Sequence, residues 1–276
     1  MFGSATIVFR EVLEAALIVT ILLAATRGLA QRGRWISGGV AAGLLGAVMV
    51  AWLADLISSA MDGFGQEIFN ATILFTAVGM LAWHNIWMAS HARQLTLNLK
   101  QVGRQVQEGS LPLYFLAVAS GAAVLREGAE VVLFMYGIAA GGDSPLTLLM
   151  GGVIGVALGI GVGILLYRGL LKIPASRLFQ VTGWLILLLA AGLAASAVGY
   201  LMQADVLPYQ APLWDTSAVL DEGSLGGQIA HILLGYQSQP TGFQLLAWTT
   251  TLVLILIGMR WAGKTREAQS AAVTVA

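Results

Sequence analysis

The sequence predicts an all-α integral membrane protein of seven transmembrane helices, with its amino terminus outside and its carboxy terminus inside. Three observations predict it. The chain is 58% hydrophobic and only 10% charged, with a mean hydropathy of +0.82, against about 25% charged residues in soluble domains. About seven apolar windows are each long enough, at roughly 20 residues, to cross the hydrocarbon core. The charged residues between those windows alternate in sign from one connection to the next.

The windows run at roughly 4–26, 37–57, 70–90, 113–140, 146–167, 178–202 and 242–260. The first has no basic leader and no small-residue cleavage site, so it is retained rather than removed as a signal peptide. The second carries Gly39 and Gly43, and the fifth Gly151, Gly155, Gly159 and Gly163. Glycines spaced by four let helix backbones approach closely in lipid, and they are read as scaffold. A longer segment, about 203–241, separates the sixth and seventh windows. Within it Leu225 to Leu234 has apolar residues at helical spacing and predicts a short helix at the outer surface. After the seventh window a short tail, 263–276, is rich in small residues and expected to be disordered.

Charge placement sets the orientation. Arg27, Arg32 and Arg34 follow the first window, Arg93, Lys100 and Arg104 the third, Arg168, Lys172 and Arg177 the fifth, and Arg260, Lys264 and Arg266 the seventh. All four groups fall on one side, which the positive-inside rule makes cytoplasmic. The other side holds Asp55, Asp62, Glu67, Asp143, Asp205, Asp215, Asp221 and Glu222 and neither Lys nor Arg.

The remaining charges lie inside windows. The first contains Arg10-Glu11-Val12-Leu13-Glu14 and the fourth Arg126-Glu127-Gly128-Ala129-Glu130, two copies of R-E-x-x-E starting 116 positions apart. At about 100° per residue the three charges of each copy share one helix face. Three ionised side chains facing lipid would cost on the order of 8–10 kcal/mol. The large apolar residues of the window return only about 0.3–0.6 kcal/mol each. The two faces must therefore meet each other, water or an ion. Together they bring four carboxylates and two guanidiniums, an excess of acid over base that suits a di- or trivalent cation. A salt-bridge clamp between the helices is the alternative, and a clamp would balance its charges.

The copies lie three windows apart, so they cross in opposite directions. That predicts an inverted repeat of three plus three spans, about 1–105 and 106–203, with the seventh helix as an addition in a single domain spanning 1–262. Balanced charge (Lys+Arg 14, Asp+Glu 14) excludes nucleic-acid binding, and the lack of cysteine excludes thiolate sites and disulfides. No G-x-x-x-x-G-K-[ST] run is present to hydrolyse ATP. The methionines are scattered without a stripe, which argues against Cu(I).

R-E-x-x-E in the first and fourth of seven spans resembles the oxidase-dependent iron permeases, which include the fungal high-affinity permeases and the bacterial EfeU type. Trp83-His84-Asn85-Ile86-Trp87-Met88, Ala190-Ala191-Gly192-Leu193, Ser217-Ala218-Val219-Leu220 and Leu234-Gly235-Tyr236-Gln237 resemble the bacterial members too. The resemblance implies an iron permease of the plasma membrane, the bacterial inner membrane. It implies iron translocation by Glu11, Glu14, Glu127 and Glu130, with Arg10 and Arg126 in support. Bacterial members often carry two acidic residues where this chain has Glu67 and Asn70. The implied partners are an extracytoplasmic iron-binding protein and a haem peroxidase or other ferroxidase, with iron as substrate and no resident cofactor.

Glu67, Asp215, Asp221 and Glu222 are candidates for an acidic outer mouth that concentrates cations. The alternative is an ordinary solvated loop. His84, placed toward the inner end of the third span with Asn85, and His231 in the outer segment are read as interhelical or interfacial histidines rather than ligands. The rival functions are transport of another divalent cation or of protons on the same carboxylates, and a membrane di-iron enzyme. Neither motif supplies the Glu-x-x-His that di-iron helical sites use.

Overall fold

The structure, a computed structural model, describes residues 1–60, 66–142, 144–169 and 175–275. Asp62, Asp143 and Lys172 lie outside the described residues. The chain forms α1 (Phe2–Ala25), α2 (Arg32–Ala60), α3 (Gln66–Gln107), α4 (Tyr114–Ala140), α5 (Pro145–Tyr167), α6 (Ala175–Gln203), α7 (Leu225–Leu234) and α8 (Gly242–Val275), with no strand among the described residues.

Two helices outrun their expected windows. α3 continues through the stretch read as a basic loop, because Leu95, Leu99 and Val106 fall on one helical face and pack with Ile18 and Leu22 of α1. α8 continues to Val275 where disorder was expected. That stretch is rich in Ala, Glu, Gln, Lys and Arg, all strong helix formers. The short helix expected at Leu225–Leu234 is α7. Ser224 caps it by accepting from Gly227 N, and Gly235 ends it at φ 69°. Gly235 also lies where a Cβ would meet Gly192 Cα at 2.6 Å and Trp248 Nε1 at 2.7 Å, which seats α7 against α6 and α8.

Among the described residues five helical stretches are long and apolar enough to cross a membrane: 32–56, 66–88, 145–167, 177–203 and 242–262. α1 and α4, with 24 and 27 residues, reach about 36 and 40 Å at ~1.5 Å per residue. They hold the charged motifs, and α1 packs on α3, α4, α5 and α6. Leu44, Leu45, Val48, Met49 and Trp52 of α2, Leu146, Leu149 and Val153 of α5, and Leu246, Leu254 and Ile257 of α8 are exposed on the outer faces. Ile7, Leu74, Leu81, Phe134, Ile186, Leu187 and Ala190 form the core between α1, α3, α4 and α6.

Residue contacts fix the helix directions. Going up α3, Ala77, His84 and Trp87 meet Gly137, Glu130 and Arg126 of α4, so α3 and α4 run antiparallel. His84 and Gly103 of α3 meet Glu14 and Ala25 of α1, so these two run parallel. α1 and α4 therefore run in opposite directions.

The glycine helices pack in matching register. On α2, Gly39 abuts Ala117 and Ser120 of α4, Gly43 abuts Gly121, Val124 and Leu125, and Ala47 abuts Gly128. On α5, Gly151 abuts Met1 and Ser4 of α1, Gly155 abuts Ala5, Val8 and Phe9, and Gly159 abuts Val12. Every α1 residue here lies 116 positions before its α4 counterpart, and every α2 residue 112 before its α5 counterpart. The space is tight in both: a Cβ on Gly43 would lie 2.6 Å from Gly121 O, and one on Gly155 2.7 Å from Ala5 O.

Candidate metal centre

Both motifs fold onto one buried centre between α1, α3 and α4. The i,i+4 spacing lets each arginine reach its own second glutamate: Arg10 Nε donates to Glu14 Oε1 at 3.0 Å, and Arg126 Nε to Glu130 Oε1 at 3.0 Å. The antiparallel crossing of α1 and α4 then brings Glu11, Glu127 and Glu130 together, their ligand-type oxygens all within 4.8 Å of one another. Glu11 is 0% exposed, and neither of its carboxylate oxygens has a hydrogen-bond partner. Glu127 Oε2 and Glu130 Oε2 are likewise buried without a hydrogen bond.

α3 adds a residue that the sequence read as interhelical rather than as a ligand. His84, toward the end of the apolar stretch 66–88, lies between the two motifs, 2% exposed. Its Nε2 is 3.4 Å from Glu14 Oε1 and 3.8 Å from Glu11 Oε2, and its Nδ1 contacts Glu130 Oε2. Glu11, Glu14 and His84 form a second group whose ligand-type atoms lie within 4.8 Å of one another. Phe134 meets the His84 ring edge-on at 6.5 Å. Asn85, also buried, accepts from Arg10 Nη1 at 2.9 Å. No local periodicity pointed to these contacts; the signal available was a His-Asn pair inside an otherwise apolar window.

The two arginines differ in setting. Arg10 is 3% exposed; Arg126 is 39% exposed and stacks over the Trp87 ring with its Cζ 4.4 Å from the centroid. Both abut cavities. One of about 520 Å³ is lined by Thr76, Met80, Trp83, His84, Arg126 and Glu130. Another of about 380 Å³, lined by Arg10, Glu14, Asn85, Trp184, Met259 and Arg260, opens toward the start of α6. A third, about 440 Å³ and largely apolar, reaches Glu11 and Glu127 from between α2 and α5. The carboxylates thus stand at the inner ends of several clefts.

The structure brings none of the expected outer-mouth carboxylates into this centre. Glu67 is in the first turn of α3, 17 residues before His84 and so about 25 Å away along the helix. Asp215 accepts from Ser217 N and Gln239 Nε2, each at 2.9 Å, and Asp221 accepts from Gly223 N at 2.9 Å. Glu222 accepts from Ser238 N. The Ser217 hydroxyl and amide, with Gln239, hold the exposed Asp215 carboxyl below its ordinary range. His231 lies on α7, its Nδ1 2.7 Å from Tyr236 O, apart from the carboxylate groups.

Known proteins match the chain over nearly its whole length. The Iron permease FTR1 family matches residues 1–267. "Ferrous iron permease EfeU" of Escherichia coli O157:H7 is 34% identical over 262 residues, 93% of this chain and 94% of the relative. The protein of the same name from Shigella sonnei is similar to the same extent. That from Yersinia pestis is 30% identical over 262 residues, 93% of this chain and 92% of the relative. No solved structure matches the chain.

Proposed function

From the premise that the chain belongs to the iron permease FTR1 family and is a multi-pass inner-membrane protein, we propose that it carries iron into the cytoplasm through a four-glutamate site formed by Glu11, Glu14, Glu127 and Glu130. The observation that carries this reading is Glu11, fully buried with neither oxygen accepting a hydrogen bond from a donor, beside Glu127 and Glu130. A buried carboxylate left without partners costs several kcal/mol when ionised. A cation in the gap removes that cost and draws the bare Oε2 of Glu127 inward. Arg10 and Arg126 each hold one glutamate ionised and oriented.

In this reading α1 to α6 and α8 all cross the membrane, with the amino terminus outside. α1 and α4 are spans whose charges are covered by the other helices. The opposed directions of α1 and α4, and the matching registers of α2 on α4 and α5 on α1, support an inverted repeat of three plus three spans. The 520 Å³ cavity then lies mostly on the outer half and the 380 Å³ cavity on the inner half, with the carboxylates between them. Iron approaches an outer face made negative by Glu67, Asp215, Asp221 and Glu222. Because the loop carboxylates are already used in turns, they attract iron by their field rather than by ligation. The membrane potential contributes about 2.3 kcal/mol per charge per 100 mV to inward movement.

Carboxylates accept either valence of iron. The relatives' names speak of ferrous iron, whereas a ferroxidase partner and an extracytoplasmic iron-binding protein would deliver Fe³⁺. Radio-iron uptake by iron-starved cells tests the reading, comparing the protein with Glu127→Gln at matched membrane abundance. Iron is supplied as Fe²⁺ with ascorbate or as Fe³⁺ with citrate. Uptake that is lost in the variant, and suppressed by cold iron far better than by manganese or zinc, supports the site and the substrate together. Equal competition by manganese or zinc would favour a general divalent transporter, and undiminished uptake in the variant would make the motifs a clamp.

A further inference from the structure

Building on the glutamate site above, we propose that the centre holds iron in two overlapping positions, and that His84 supplies the nitrogen ligand of the second. The first position is Glu11, Glu127 and Glu130; the second is Glu11, Glu14 and the His84 Nε2. Glu11 belongs to both.

The ring's placement argues for ligation over simple interhelical bonding. His84 Nε2 faces two carboxylates of α1 at 3.4 and 3.8 Å, one of them the fully buried Glu11 whose oxygens are bare. The ring bridges α1 and α4, with Nε2 within hydrogen-bond distance of Glu14 Oε1 at 3.4 Å and Nδ1 in contact with Glu130 Oε2. Metal-ligating histidines turn their second ring nitrogen toward a carboxylate or carbonyl, which orients the ring and strengthens the ligand. Glu130 stands in that place behind Nδ1. Because Glu130 is itself a ligand of the first position, an ion there and an ion at Nε2 act on the same imidazole from opposite sides.

The arrangement also gives the site a chemical preference. A cluster of carboxylates alone is hard and open to Ca²⁺ and Mg²⁺. One imidazole among carboxylates shifts preference to first-row transition metals. Both positions reach the 520 Å³ cavity, and the second also reaches the 380 Å³ cavity through Glu14. His84 and Glu130 line the 520 Å³ cavity, and Glu14 lines the 380 Å³ cavity beside Arg10. Passage from the first position to the second is then a ligand exchange around Glu11, in which Glu127 and Glu130 are released as Glu14 and His84 are gained.

Pulsed electron paramagnetic resonance on the purified full-length protein loaded with Cu²⁺ as probe tests this, because a ligating imidazole shows its remote nitrogen in the echo modulation. Wild-type protein is expected to show that modulation, and His84→Gln to lose it while still binding copper. In cells, Ca²⁺ and Mg²⁺ should suppress radio-iron uptake at least about tenfold more effectively in His84→Gln than in wild type. A wild-type spectrum without imidazole modulation, or modulation undiminished in His84→Gln, overturns the proposal while leaving the glutamate site intact. Copper binding and modulation that both survive in Glu11→Gln overturn the shared-glutamate arrangement and the four-glutamate reading with it. If His84→Gln fails to fold, His84→Asn gives the same comparison, and the wild-type spectrum decides by itself.

Discussion

Arg10 and Asn85 join α1 to α3 through a buried hydrogen bond of 2.9 Å, whereas Arg126, the matching arginine of the second motif, lies half-exposed over Trp87. The two motifs are thus alike in sequence and unlike in anchorage. Arg10 is locked to its neighbour helix by an acceptor, and Arg126 by the face of a ring. The locked arginine lines the cleft toward the start of α6, and the ring-stacked one lines the cleft beside Trp83.

Asn85→Ala should therefore destabilise the protein by about 1.5–3 kcal/mol, the usual worth of a hydrogen bond to a charged group. The loss leaves the buried guanidinium to its hydrogen bond with Glu14. Thermal unfolding of the detergent-purified variant, followed by circular dichroism against wild type, measures it. An unchanged midpoint would mean that Arg10 is held by Glu14 alone.

The glycine register gives a paired prediction. Gly43→Ala and Gly155→Ala each force a methyl into backbone atoms 2.6–2.8 Å away, and overpacking of that kind costs about 1–3 kcal/mol. Gly161→Ala meets no neighbouring atom within 4 Å. It should be neutral or slightly stabilising, since alanine favours helix. Thermal unfolding of the three variants checks the contrast; equal effects at all three sites would remove the close-packing account.

Much of the centre was readable because the chemistry repeats. The excess of carboxylates over arginines forced R-E-x-x-E on α1 to face its copy on α4, and the structure brings the two together. The sequence places His84 toward the end of the third span, and the apolar stretch does end at Met88 although α3 itself continues to Gln107. The contacts of His84 with both motifs are not foreseen by that placement. Its position against both motifs depends on how three helices cross, and no local pattern encodes that. The outer acids carried a signal that local reading could have used. Asp215-Thr216-Ser217 and Asp221-Glu222-Gly223 are Asx-turn sequences, and in the structure each aspartate accepts from the amide two residues on.

Asp215 gives a pH prediction. Its folded pKa is depressed by Ser217 and Gln239, so its contribution to loop order is present above the ordinary aspartate value of about 3.9 and is lost as pH falls through the lower folded value. Hydrogen exchange at the Ser217 amide, corrected for intrinsic rate, should stay slow down to the ordinary aspartate range and quicken below it. Asp215→Asn should flatten that transition. Iron uptake at neutral pH should remain above about half of wild type in this variant, because one charge removed from an acidic face weakens a field without removing a ligand. Complete loss of uptake would make Asp215 a ligand.

The crossing of α4 can be tested without disturbing the site, because the chain has no cysteine of its own. Among the described residues five helical stretches qualify as spans by composition, and α1 and α4 are not among them. Their charges face the core, however, and a buried, paired charge does not carry the cost of one facing lipid. The two possibilities differ at Glu108, just after α3, and Val219, between α6 and α7 and 88% exposed. If α4, α5 and α6 all cross, these positions lie on opposite sides of the membrane; if α4 does not, they lie on the same side. Val219→Cys should react with a membrane-impermeant maleimide in intact spheroplasts, and Glu108→Cys only after lysis. By the positive-inside rule, Lys100 and Arg104 near Glu108 predict that side to be cytoplasmic. Labelling of both in intact spheroplasts would take α4 out of the membrane, and with it the four-carboxylate site at its centre.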